Sequence, residues 1–180
     1  VMSSSPTCST SPALATRMIL AALDAGVPAR WVTGDEVYGK DPSLRTALVD
    51  RGVGYVLAVA CDHRIPGPIG PVRADELAAG LPARSWQTMS AGHGSKGPRR
   101  YAWALVTIAS DIPGSHWLLV RRNISTGELA FYRCHSPQPV PLAALVRVAG
   151  QRWKIEESFQ TAKGQTGLDE HQVRRWRSWH

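Results

Sequence analysis

The sequence predicts an α/β fold: a parallel layer at the start, an antiparallel β section in the middle and helices at the end. Three observations carry this. Residues 12–60 read helix, strand, helix, strand. Between residues 84 and 134 lie four aromatic and β-branched runs separated by turns. From Pro141 onward the apolar spacing is helical again.

The first helix is announced by Ser11-Pro12, an N-cap followed by a first-turn proline. It runs through ALATRMILAALDA and stops at Gly26. ARWVT is a short β-prone run that ends in GDEVYG, read as a turn. Asp41-Pro42 repeats the capping signal, and SLRTALVDR is a helix closed by Gly52. VGYVLAVA is almost continuously apolar, as in a strand buried on both faces, so the two early strands are expected to run parallel. Residues 62–72 hold three prolines and two glycines, and AGHGSKGP at 91–98 is a loop that suits a hairpin turn. RSWQTMS, RYAWALVTI, HWLLVRR and ELAFYRC are the antiparallel strands, with STG at 125–127 as a turn. LAALVRV, QRWKIEESFQTAK and LDEHQVRRWRSW form the helical end. Residues 1–11 are rich in Ser, Thr and Pro and read as a loose segment.

Totals bound the function. With 43% hydrophobic and 19% charged residues among 180, a packed core is within reach and global disorder is excluded. The net charge of +7 suits a polyanionic partner, and the chain from Arg147 onward is richer in Lys and Arg than in acids. Three widely spaced cysteines make no disulfide framework, which indicates a reducing compartment. No apolar run reaches the roughly 20 residues of a membrane span and no signal peptide is evident, so a cytoplasmic protein is expected. The chain starts on Val1 and ends inside a helical pattern, RRWRSWH, so a piece of a longer protein is expected.

Chemistry concentrates in RWKIEESFQTAK. At about 100° per residue, Arg152, Glu156 and Lys163 share one stripe, while Ile155, Phe159 and Ala162 anchor the adjoining arc. Glu157 points elsewhere and can pair with Lys154. Two readings of Glu156 stand side by side: an ordinary i,i+4 ion pair with Arg152, or a metal-binding carboxylate flanked by phosphate-holding cations. The second needs another carboxylate. Asp35, directly after ARWVT, stands where strand ends in α/β sheets face a ligand crevice, and a helix cap is its plainer reading. Cys61-Asp62-His63 and Cys134-His135 fit no standard zinc spacing and read as loop or buried residues. Most of the seven tryptophans read as packing, with Trp153, near the Arg152 stripe, the one candidate for stacking on a ligand.

Taken together, WVTGDEVYGKDPSLRTALVDRGVGYVLAV and RWKIEESFQTAKGQTGLDEHQVRRW resemble the DDE transposases of bacterial insertion sequences, over about residues 12–180. The resemblance implies a partial ribonuclease-H-like core, a β-rich insertion at about 62–140 and C-terminal helices. It assigns Asp35 and Glu156 as catalytic and metal-binding carboxylates, with a two-Mg²⁺ site in the intact protein. Arg152 and Lys163, extended by Arg174 and Arg175, contact DNA. A homodimer acting on transposon ends and target DNA is implied too. The family signature has tyrosine where this chain has Ala149, and its first aspartate, normally on an upstream strand, has no match here. A chain with two of three carboxylates is expected to be inactive alone. The alternative is a non-catalytic basic DNA-binding module.

Overall fold

The computed structural model describes residues 11–67, 69–94 and 97–152. Helix α1 spans Ser11–Asp24, strand β1 Trp31–Gly34, helix α2 Glu36–Gly39, helix α3 Pro42–Asp50 and strand β2 Gly54–Val59. A small hairpin, β3 (Arg64–Ile65) and β4 (Val72–Arg73), leads into helix α4 (Ala74–Ala79) and a 3-10 turn at Ala83–Ser85. Four strands follow: β5 (Gln87–Gly94), β6 (Gly97–Thr107), β7 (Ser115–Arg122) and β8 (Leu129–Ser136). Helix α5 covers 142–152 of the described residues.

The fold is α/β. Strands β1 and β2 are parallel, and β2 pairs antiparallel with β8, so the middle section extends the first layer in one mixed sheet ordered β1-β2-β8-β7-β6-β5. This arrangement is compatible with a partial ribonuclease-H-like core. The links are local in origin. Asp41 caps α3 by accepting the Ser43 N–H at 2.9 Å, with Pro42 in the first turn. Gly52, at φ +64°, ends that helix, and its left-handed backbone suits glycine.

Strand β2 explains its own composition. Tyr55 and Leu57 pack with Leu44 and Leu48 of α3 on one sheet face. Val56 and Ala58 pack on the other with Trp103, Leu119, Cys134 and with Leu145, Val146 and Ala149 of α5. All six residues are buried, so neither face tolerates a polar side chain. On the α3 side, α4 and Ile65 cover Val59, Leu118, Val120 and Phe131. Alternation along β8 divides neighbours in the same way: Cys134 belongs to the α5 face, whereas His135 stacks on Tyr55 and His116 of the opposite face.

Three local expectations change. GDEVYG is a capped helical turn rather than a plain turn, because Asp35 satisfies the Val37 N–H. Residues 62–79 contain a hairpin and α4, whose ADELAA run is too short to show helical periodicity. The 91–98 loop narrows to the tip of the β5–β6 hairpin, since β5 reaches Gly94 and β6 begins at Gly97.

The contact of α5 with β5 is unusually close. A Cβ on Gly150 would overlap the backbone carbonyl of Ala91, and Ala149 is 3% exposed in the same seam. A tyrosine at position 149 would have to displace that core.

Candidate functional site at the carboxyl edge of the parallel strands

Asp35 follows β1 directly and is half-buried. Its Oδ1 accepts the Val37 N–H at 3.0 Å, and its carbonyl accepts from Gly39 N at 2.9 Å. The short α2 is pinned on β2, since a Cβ at Gly39 would overlap the Ala58 carbonyl. The cap reading of Asp35 is therefore correct for one carboxylate oxygen. The same capping holds the carboxylate at the strand end, and Oδ2 accepts no hydrogen bond among the described residues.

Asp35 opens onto a cavity of about 650 Å³. The end of β2 and its sequel (Ala58 to Cys61), the start of β8 (Leu129 to Tyr132), Arg121 at the end of β7, and Arg152 of α5 complete its lining. Glu36 and Glu128 are the other carboxylates on the wall. Antiparallel pairing explains the meeting: β8 begins where β2 ends, and β7 ends where β8 begins. The crevice thus lies at the carboxyl ends of the two parallel strands, the position at which open α/β sheets bind ligands.

The cavity's chemistry is divided. Asp35, Glu36 and Glu128 supply oxygen donors of the kind hard divalent cations take. Arg121 and Arg152 supply fixed positive charge, and both draw down the Tyr132 hydroxyl, although burial dominates and leaves it above its usual range. Among the described residues no cluster of three His, Cys, Asp or Glu side chains could hold a metal by itself. Asp24, the other early aspartate, is remote in role: it pairs with Arg51 at 2.8 Å where α1 and α3 end. Cys61 is exposed at the cavity rim and Cys134 is a core residue.

Of the residues expected from sequence, Asp35 and Arg152 are brought together in this one cavity. Glu156, Lys163, Arg174 and Arg175 lie outside the described residues, as do Trp153 and the Glu157–Lys154 pair. Arg121 and Tyr132 were not singled out by sequence reasoning. The signal for them is weak: alternation puts each on a definite strand face, but only the order β2-β8-β7 brings those faces to Asp35.

The DDE superfamily endonuclease family matches residues 2–104, more than half of the chain, including Asp35 and the parallel layer that presents it. No curated protein matches the chain. The chain belongs to the DDE superfamily endonuclease family. Nucleases of this family act on DNA and generally use a divalent metal. No helix among the described residues is long and apolar enough to cross a membrane.

Proposed function

We propose that this chain is a piece of the catalytic domain of an insertion-sequence transposase, which as the intact protein cuts and rejoins phosphodiesters at element ends with Mg²⁺. The observation that carries the reading is the meeting of Asp35 and Arg152, distant in sequence, in one cavity at the strand ends. Asp35 and Glu156 serve as the metal-binding carboxylates; the Oδ2 of Asp35, which accepts no hydrogen bond among the described residues, and the carboxylate oxygens of the cavity wall fit a hard cation. When bound, the metal supplies charge neutralisation at the phosphodiester and activation of the attacking hydroxyl.

The chain's own groups position and hold. The α2 cap fixes the Asp35 carboxylate, so its placement needs no reordering when substrate arrives. Arg152, with Lys163, neutralises a backbone phosphate, and Arg174 and Arg175 extend the track. In this reading the chain supplies two of the three carboxylates of such a site, Asp35 and Glu156, so the 180-residue chain alone does not cut DNA and the intact protein works as a homodimer on paired ends. Cleavage of end-containing duplex by this chain, lost in Asp35→Ala, would overturn the inactivity.

Isothermal titration with Mg²⁺ in the presence of duplex separates the two functional readings. Metal-dependent binding that weakens in both Asp35→Asn and Glu156→Gln supports the catalytic one. DNA affinity that depends steeply on salt but is indifferent to both substitutions indicates a non-catalytic basic DNA-binding module instead.

A further inference from the structure

We propose that the open end of the α4 face, across β5, β6 and β7, is a docking surface for the backbone of duplex DNA, gripped by Arg84, Arg100 and Arg122. The proposal rests on the functional reading above and adds a contact on the sheet face opposite the cavity. Residues 77–110 contain no Asp or Glu, against Arg84, Lys96, Arg99 and Arg100. Charge of one sign, carried by a folded sheet, makes a local field that attracts a polyanion.

Register collects three of the arginines on one side. Ala104 of β6 and Leu118 and Val120 of β7 pack with Ala74 and Ala78 of α4. Alternation therefore puts Arg100, Ala102 and Arg122 on that same face. Ala102 pairs with Arg122 on one flank and Thr88 on the other, and Arg100 pairs with Ser90. Arg100, Arg122, Thr88 and Ser90 are all exposed, so α4 stops short of this end. The Arg122 guanidinium lies over the Trp86 ring, 4.2 Å from its centroid, and Trp86 directly follows the 3-10 turn that carries exposed Arg84.

These charges are not spent inside the molecule. Arg51 is bound to Asp24 and Arg73 to Asp75. Among the described residues Arg84, Arg100 and Arg122 have no ion pair or hydrogen bond, and the ring under Arg122 neutralises nothing. Glu128, the first acid after β7, lines the cavity. Exposed cations spread over neighbouring strands suit a duplex, whose phosphates repeat along a line and need charge and reach rather than an enclosed pocket. Arginines that merely kept this face soluble would affect DNA binding no more than any other exposed arginine.

The test is fluorescence anisotropy of the full 180-residue chain with a labelled duplex of about 20 base pairs, read between about 50 and 300 mM KCl. Each lost phosphate contact lowers the slope of log K against log salt by about 0.9. The combined Arg84→Gln, Arg100→Gln, Arg122→Gln variant is expected to lose about 2 to 3 from the slope and more than about tenfold in affinity at the lowest salt. Arg17→Gln, which removes an exposed charge from α1, is expected to leave the slope unchanged. An unchanged slope in the combined variant, with duplex still bound, overturns the surface and spares the functional reading. No duplex binding by the parent chain overturns both. A slope reduced as much by Arg17→Gln, charge for charge, makes the effect one of net charge and overturns the surface. Polyglutamate at matched charge should compete poorly; competition equal to that of unlabelled duplex assigns the surface to an acidic polypeptide and overturns the proposal. If circular dichroism shows that uncovering Trp86 unfolds the combined variant, Arg84→Gln with Arg100→Gln decides, since neither side chain has a partner to lose among the described residues. The slope should then fall by about 1.8, and an unchanged slope overturns the surface.

Discussion

The two faces of the sheet use the same strands for opposite purposes. The α5 face carries the cavity, which Arg121, Tyr132 and Ala58 line from neighbouring strands. The face under α1 to α4 instead takes polar groups into the interior. Among the described residues, Arg133 Nε and Nη1 and both ring nitrogens of His135 are buried without hydrogen-bond partners. Burial presses Arg133 below the usual arginine range, with Arg45 adding to the effect. One strand, β8, supplies both sets by alternation. The lesson is that alternation along β8 sends Tyr132 to the cavity and its neighbour Arg133 into the interior, where an unpaired polar group costs stability.

The comparison is broken most severely at the shared centre. Trp103 has no exposed surface and packs under α5. Trp103→Ala should cost about 4 kcal/mol in urea unfolding, and DNA binding should go with the fold. A loss below about 1 kcal/mol would mean that α5 is not seated on this face.

Next comes acid. His135 and His63 are both held at about 4, His135 by burial and then by His116, His63 by burial and then by Arg133. Unfolded imidazoles titrate near 6.5. The unfolded chain therefore takes up protons first, and stability present above pH 6.5 drains away as pH falls toward 4. For His135 this is on the order of 2–3 kcal/mol. Melting temperatures between pH 7 and 4 should fall accordingly, and His135→Leu should flatten the decline. An equally steep decline in that variant would assign the acid sensitivity elsewhere.

The smaller effects sharpen the contrast at Asp35. Asp35→Ala removes a cap and should cost about 1 kcal/mol, whereas Asp35→Asn keeps the cap and loses only the charge. Equal melting points for Asn and parent, with a lower one for Ala, separate the structural from the metal-binding duty of one side chain. The smallest effect is expected at the exposed Asp24–Arg51 pair, where Arg51→Gln should leave the midpoint unmoved.

Much of the parallel layer was legible because its signals are local. Ser11-Pro12, Asp41-Pro42 and Gly52 mark helix ends within a turn of where they act, and the apolar run of β2 announces burial on both sides. Asp35 was legible as a strand-end carboxylate, but α2 was not, since a four-residue helix has no period to read. The antiparallel strands were legible one by one. Their order was not, because pairing β8 with β2 depends on a connection more than sixty residues long in sequence. Arg121 was hidden for that reason: nothing near HWLLVRR says that its last turns lie beside Asp35.

The close approach at Gly150 acts on the helix as a key in a slot. With the Ala91 carbonyl filling the space a side chain would need, α5 can neither rotate nor slide by a residue without driving Ala149 or Gln151 into the strand. The azimuth of the helix is thereby set two residues before Arg152, so the direction in which that side chain leaves the helix is fixed by backbone against backbone. An insertion of one residue between Gly150 and Arg152 would leave the core intact and turn the charge about 100° away.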